Sequence, residues 1–414
     1  MSLLVAKFGG ASVGDIESIK NAASKVAQEV RRGNKVVVVV AASAGKTDKL
    51  IDYCKSVSPR PNPREYDSII STGEQLSAGL VTLALEQRGL NARSWMGWQI
   101  PILTDSDYNK AHILDIKPEK LLSRVEEGEI AVVTGFQGIA KDGSITTLGR
   151  GGADTSAVAL AAALKADRCD IYTNANGVYT ANPTLVSKAR RLKSISYEEM
   201  LEFASMGTKG IKPRSIEIAL RYGMSLQLLS AFGNDVGSDM PGTLITDKDH
   251  TMENKPVKGL AYSRDITRIT LFNVKDQPGI AAKIFNGLAR ASVNVGMIIQ
   301  PASCSGKLTD ITFTVSKDEL ARAIEIMEEE KDKIGFVSLQ SDKNVAKVSL
   351  IGSGMRTRSG VAFTMFQALA EKDINIQVIE TSEINITVLI AEEYLELALR
   401  ILHTTFGLDQ EEAG

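Results

Sequence analysis

Leu3-Leu4-Val5-Ala6-Lys7-Phe8-Gly9-Gly10-Ala11-Ser12-Val13 decides how this chain is read. Four apolar residues make a strand, two glycines turn the chain, and the stretch from Asp15 to Arg32 has helical character. Glycine lets backbone N–H groups approach an anion, and a lysine at the same spot neutralises it. A second glycine-rich stretch, Leu148-Gly149-Arg150-Gly151-Gly152-Ala153-Asp154-Thr155-Ser156, leads into an alanine-rich helix from Thr155 to Lys165. Two such loops in one fold suggest a phosphate held from two sides, which reads as phosphoryl transfer. No Walker pattern supplies it: Ala44-Gly45-Lys46-Thr47 resembles the tail of one, but Val40 stands where its first glycine belongs.

Working outward, Lys35 to Val40 is a continuous valine run, the mark of a strand buried on both faces. Ile130 to Thr134 and Asp170 to Thr173 repeat the pattern with helices between them. Strands alternating with helices predict an α/β fold with a mainly parallel sheet sandwiched by helices, and ligands then sit beyond the carboxyl ends of the strands. From Asn234 to Pro256 periodicity fades and Gly, Asp, Ser, Pro and Lys dominate, which predicts a domain boundary. Beyond it lies an internal repeat. A shift of 81 positions aligns Gly279 with Gly360, Phe285 with Phe366, Leu288 with Leu369, Asn294 with Asn375 and Ile298 with Ile379. So long a period means duplicated small domains. The first copy reads as strand Ile269 to Val274, helix Ile280 to Arg290 and strand Val293 to Ile299, of the ferredoxin-like βαββαβ kind. The expected division is a catalytic domain over 1–245, a linker over 246–258, a first small domain over 259–340 completed by the segment 391–410, and a second over 341–390.

With 414 residues the chain exceeds what one core serves. A formal charge of −2 and a pI near 6.1 give no basic field, so no nucleic-acid partner is expected. Cys54, Cys169 and Cys304 lack metal-ligand spacing, as do His112, His250 and His403, so no metal bound by the protein alone is expected. No apolar run approaches the roughly 18 residues that span a bilayer, and the first residues do not form a secretory signal. A cytoplasmic protein without membrane partners is the expectation.

Lys7 is the candidate for stabilising charge on a moving phosphate. Asp154 either caps the helix it opens or orients a lysine or magnesium ion. Arg150 has the geometry for bidentate capture of a carboxylate, while the helix start beside it favours phosphate. Glu74, in Ser71-Thr72-Gly73-Glu74-Gln75, either caps a helix or holds a substrate ammonium.

The ordered series KFGGASV (7–13), STGEQLSAGL (71–80), TLGRGGADTSAVALAAAL (147–164), TNANGVYTANP (173–183) and MGTKGIKPRSIEIA (206–219) resembles the motifs of the aspartokinases. The tail, with DQPGIAAKIF (276–285), RSGVAFTMF (358–366) and INIQVIETSE (374–383), resembles their pair of ACT domains. The resemblance covers essentially the whole chain. It implies an amino-acid kinase fold followed by two ACT domains, and transfer of the ATP γ-phosphate, with Mg2+, to the β-carboxylate of L-aspartate. That reaction opens lysine, diaminopimelate, threonine and methionine synthesis. It further implies that Lys7 and Asp154 are catalytic, and that Ser43, Thr47, Glu74, Arg150, Gly151 and Gly152 bind substrate. Lys7, Phe8, Gly9, Gly10, Thr173, Asn174, Tyr179, Thr180, Asn182 and Lys209 would bind ATP, with the Gly9 and Gly10 amides on the phosphate. A lysine or threonine effector would bind at Asp276, Gly279, Ile280, Ala281, Asn294, Gln300, Val361, Asn375, Ile376 and Thr381, in a homodimer formed through the ACT domains. The chain departs from the family at Asn174, Asn176 and Asn182, where aspartates are usual, at Thr184 for arginine and at Ala153 for serine. These departures bear on nucleotide affinity more than on the reaction, since Lys7, Arg150, Asp154, Glu74 and Lys209 remain and favour an active enzyme. They motivate, as an alternative, a catalytically weakened amino-acid sensor on the same fold. A relative acting on glutamate or UMP is a third reading.

Overall fold

The structure, a computed structural model, describes residues 2–208, 210–247, 256–302, 307–356 and 358–410. Most of the expected linker 246–258, together with Lys209, His250 and Cys304, lies outside the described residues. The chain divides into two compact units, one of Met1–Tyr179 with Arg191–Met252, the other of Thr180–Arg190 with Glu253–Gly414.

The first unit is built on eight strands: β1 (Leu3–Phe8), β2 (Lys35–Val40), β3 (Ala92–Trp95), β4 (Ile130–Thr134), β5 (Arg168–Thr173), β6 (Ser194–Ile195), β7 (Leu226–Ser230) and β8 (Thr243–Ile245). Their order across the sheet is β6-β8-β7-β5-β1-β2-β4-β3. All pairings are parallel except β7 with β8. The valines of β2 are buried from Val36 to Val40, as a strand covered on both faces requires. Helix α1 (Ile16–Arg31) begins at Asp15, whose carboxylate accepts the Ser18 amide at 2.7 Å. Its apolar face, Ile19, Ala22, Ala23 and Val26, shares one core with Ala78, Val81 and Leu85 of helix α2 (Thr72–Glu86). Helix α3 (Gly152–Leu164) packs against β1 and against helix α4 (Pro213–Tyr222), with Ala157 and Ala161 fully buried. β1, β2 and β5 run parallel, so Phe8, Val40 and Thr173 end on the same edge. That edge carries the site.

A smaller four-stranded sheet forms from Ile102–Thr104, Ile113–Ile116, Gln137–Ile139 and Ile145–Thr147. It is fastened by the fully buried Asp67, whose carboxylate accepts the amides of Asn109 (3.0 Å) and Thr147 (2.7 Å) and the Thr147 hydroxyl (2.9 Å).

The second unit holds two antiparallel four-stranded sheets. One is ordered Ile298–Ile299, Leu308–Val315, Thr267–Lys275, Ser338–Asp342. The other is ordered Gly259–Ser263, Val345–Ile351, Asn385–Ala391, Val378–Thr381. The helices Ile280–Arg290 and Val361–Ala370 fall where the repeat puts them. Three expectations are corrected. Gly259–Ser263 pairs with Val345–Ile351 and so belongs to the second sheet. The C-terminal helix Leu395–Thr405 completes that second sheet's core, where Leu395, Ala398, Leu399 and Leu402 join Val348, Leu350, Val388 and Ile390. The strand expected from Val293 is confined to Ile298–Ile299, although the Gly296 amide still donates to the Thr314 carbonyl at 2.8 Å.

The segment Thr180–Arg190, expected within the catalytic domain, is built into the second unit. The Thr180 carbonyl accepts the Leu260 amide at 2.7 Å, and its hydroxyl lies 2.9 Å from His403 Nε2. Leu402→Ala, at a fully buried position, is expected to cost about 2–5 kcal/mol. Amide exchange should then accelerate in Val345–Ile351 and Asn385–Ala391 before it does in Thr267–Lys275.

Candidate active site

Lys7 is the fifth residue of β1, in register with Val39 of β2 and Ile171 of β5. A lysine at the centre of a parallel sheet needs a counter-charge, and Asp154 supplies it: Nζ lies 2.5 Å from Oδ1, with both residues under 8 % exposed. Asp154 reaches β1 because α3 starts on Gly151, whose φ of +81° opens the helix in a left-handed conformation that glycine adopts freely. The ion pair sits in a cavity of about 450 Å³, whose walls include Gly9, Gly10, Ala44, Thr173, Asn174, Thr208, Gly210 and Lys212.

The two glycines are not equivalent. The Gly9 amide donates to the Tyr172 carbonyl at 3.2 Å and so extends the β1–β5 ladder, which corrects the expectation that it reaches for phosphate. Gly10 opens the short 3-10 turn Gly10–Val13, where an N–H has no partner inside the turn. Its carbonyl accepts the Ala44 amide at 3.1 Å, and a Cβ on it would lie 2.8 Å from the Ala42 carbonyl. That close approach welds the lysine loop to the loop after β2. From there the chain of contacts runs to Glu74 in the first turn of α2, whose Oε1 accepts the Ala42 amide at 3.0 Å. Glu74 is 3 % exposed and its Oε2 has no partner among the described residues. Burial pushes its carboxyl up to about 7, against the pull of the Ala42 hydrogen bond. Ser43 and Thr47, half-buried, flank the same loop.

Arg150 is exposed and close enough to Tyr66 for its charge to favour the phenolate, though burial dominates and raises that hydroxyl. The turn before it is held by Arg214 of α4, which donates to the carbonyls of Leu148 (3.1 Å) and Ala111 (2.8 Å). Of the residues expected at the nucleotide, Lys7, Gly9, Gly10, Thr173 and Asn174 line the cavity, and Phe8 stacks on Tyr172 behind it at 4.6 Å. Tyr179 bridges to Arg191, and neither it nor Thr180 nor Asn182 is on the cavity wall. The Thr180 hydroxyl is 2 % exposed beside His403, and the Asn182 amide donates to the Tyr262 hydroxyl at 3.0 Å while its oxygen accepts from Thr184. Lys209 lies outside the described residues, though Thr208 and Gly210 on either side line the cavity. Sequence reasoning did not single out Asp67, Arg214 or Lys212. A lysine followed by proline at a helix start was the available signal for the last.

In the second unit, Gln300 donates to Asp276 at 3.4 Å. Gly279 and Gly360, with φ of +87° and +96°, cap their helices, while Ile280 and Val361 turn their side chains into the cores. The Asn294 amide donates to Glu319 at 3.1 Å, and Ala281 and Asn375 are exposed. A cavity of about 550 Å³ lies between the two sheets, walled by Arg268, Thr270 and Thr312 on one side and Ile376, Gln377 and Ile379 on the other. Of the expected effector residues, Ile376 lines it; Thr381 stands at the end of its own strand, Val378–Thr381.

The sheet order, the glycine-opened helix and the buried lysine–aspartate pair define an amino acid kinase, and that family's profile matches residues 2–230. An ACT-domain profile matches 272–330 and 348–406. An aspartate kinase of Pseudomonas putida is 48% identical over 410 residues, covering 99% of this chain and 98% of its own. An aspartokinase of Mycobacterium tuberculosis is 43% identical over the full length of this chain and 98% of its own. The crystal structure of E. coli aspartokinase III with aspartate and ADP superposes with a TM-score of 0.80 at 25% identity, covering 97% of this chain and 99% of that one. The same E. coli enzyme with lysine and aspartate gives 0.76, at 25% identity and 98% and 99% coverage. The chain belongs to the aspartokinases. No helix among the described residues is long and apolar enough to cross a membrane.

Proposed function

We propose that this chain transfers the γ-phosphoryl group of ATP to the β-carboxylate of L-aspartate. The observation that carries this reading is the Lys7–Asp154 pair in the cavity at the carboxyl ends of β1 and β5, one loop away from the buried Glu74. A carboxylate oxygen of aspartate forms the new bond to phosphorus, and the bridging oxygen leaves with ADP. The nucleophile is already an anion, so no proton need be removed. The protein's work is placement and charge neutralisation. Lys7 faces the phosphoryl group, Gly10 offers an amide, Glu74 takes the substrate ammonium, and Arg150 takes a substrate carboxylate from the rim with Ser43, Thr47, Gly151 and Gly152 beside them. Thr173 and Asn174 border the nucleotide.

Among the described residues no cluster of three His, Cys, Asp or Glu side chains could hold a metal alone. Asp154 is the carboxylate among the described residues of the cavity wall, and it would help hold Mg2+ carried in on the triphosphate. Bound there, it would neutralise phosphate charge. The E. coli complexes with ADP and aspartate, and with lysine and aspartate, support the nucleotide, the acceptor and lysine as effector. Threonine as effector, a homodimer through the ACT domains, entry into lysine, threonine and methionine synthesis and a cytoplasmic setting complete the reading. Folded protein given millimolar aspartate, Mg2+ and ATP should yield acyl phosphate, trapped as the hydroxamate. Absence of product would end it.

A further inference from the structure

We propose that Lys212 is a further phosphate-contacting cation of this site, laid across Gly151 at the start of α3 and directed to the γ-phosphate. The inference rests on the phosphoryl-transfer reading above and adds a residue to it. Two cations stand among the described residues of the cavity wall, Lys7 and Lys212. Lys7 already has a partner, because Asp154 lies 2.5 Å from its Nζ and offsets its charge. Lys212 has no carboxylate within ion-pair distance among the described residues. An incoming triphosphate carries several negative charges, and among the described residues of the wall Lys212 is the uncompensated positive charge that meets them.

Lys212 is exposed, but its stem is anchored. Lys212 caps α4 in an extended conformation just before Pro213, which fixes where its side chain leaves the backbone. The stem then crosses Gly151: a Cβ on that glycine would collide with Lys212 Cγ and stand 3.3 Å from both Cβ and Cδ. Gly151 therefore does two things at once, opening α3 with its positive φ and leaving the groove that the lysine stem occupies. Asp154 stands three residues further on. Lys212 is thereby laid across the start of the helix that carries the counter-ion of Lys7. A lysine anchored through Cδ, with only Cε and the ammonium beyond, delivers a point charge to phosphate oxygens. During transfer the charge spread over the equatorial oxygens is met by both ammonium groups, which lowers the barrier more than it tightens nucleotide binding as a whole.

The test uses the full chain and needs no turnover. Binding of Mg-ADP and of the Mg complex of an ATP analogue with a nitrogen between its β and γ phosphorus atoms is measured by calorimetry for the parent, Lys212→Met and Lys212→Arg, with thermal midpoints as the folding check. The methionine variant should lose tenfold or more in affinity for the triphosphate analogue and less than twofold for ADP, with arginine restoring most of the loss. Where the parent turns over, kcat should fall about 10²-fold in Lys212→Met while the KM for aspartate holds. Equal losses for the two nucleotides, or an unchanged preference for the triphosphate, would overturn the assignment. Nucleotide binding without aspartate phosphorylation would instead refute the acceptor, leaving Lys212 to be judged on the binding data.

Discussion

Lys7→Met is expected to reduce kcat by about 10³-fold or more and to unsettle the fold as well. Both effects come from one contact. With Lys7 gone, the charge on Asp154 stays buried without a partner, and removing one member of a buried pair costs about 3–5 kcal/mol. The loss of activity could then be blamed on unfolding, so the informative variant is the double one, Lys7→Met with Asp154→Leu. Replacing both members by apolar groups removes the orphaned charge, and thermal stability should return to near that of the parent. Activity should not return. Thermal melts beside the hydroxamate assay separate the two. A double variant that recovered turnover along with stability would refute the electrostatic role of the pair.

Glu74→Gln is expected to raise the KM for aspartate by about 10–100-fold, the worth of a charged hydrogen bond to an ammonium, and to leave that for ATP unchanged. The pH dependence carries more information than the magnitude. Burial lifts the Glu74 carboxyl from 4.5 to about 7. A substrate ammonium needs the anion, so aspartate affinity should rise with pH up to about 7, by tenfold per unit at most, and level off above it. Stability should move the opposite way. The folded state holds this proton more tightly than the unfolded chain, so stability is greatest below pH 4.5, falls by about 3 kcal/mol between 4.5 and 7, and is flat beyond. In Glu74→Gln both slopes should vanish, and above pH 7 the variant should melt higher than the parent. Parallel pH profiles for parent and variant would show that Glu74 is not the group that titrates.

The parts of this protein legible in its sequence are those governed by local rules. The valine run of β2 and the cap at Asp15 are visible within a few residues, and strand and helix form where they predict. Helix α3 begins at Gly152, three residues before its alanine pattern, since a glycine with positive φ can open a helix where no capping side chain announces it. The 81-residue repeat shows that two small sheets exist but not which edge Gly259–Ser263 joins, because antiparallel pairing is a choice among distant partners. The same holds for the C-terminal helix, whose Leu399 and Leu402 suit either sheet in pattern and pack on the second. At the site, Lys7 and Asp154 announce themselves through the glycines beside them. Lys212 depends on Gly151, 61 positions earlier, and Asp67 on Thr147, 80 positions later. Thr180 resembles a nucleotide residue by motif, yet its hydroxyl is spent on His403, 223 positions away.

The excursion of Thr180–Arg190 has a consequence for how the protein can be taken apart. The polypeptide passes from one unit to the other at Tyr179, comes back at Arg191 and leaves again after Met252, so three covalent threads join them where a simple tandem arrangement has one. Cutting the chain once near 252 does not free one complete unit from another: the amino-terminal fragment keeps a loop whose carbonyl has lost Leu260 and whose buried hydroxyl has lost His403. Five residues separate Asn174, on the cavity beside Lys7, from Thr180, in the second unit. Strain imposed at Thr180 therefore has a path of six peptide units of backbone to Asn174 on the cavity wall.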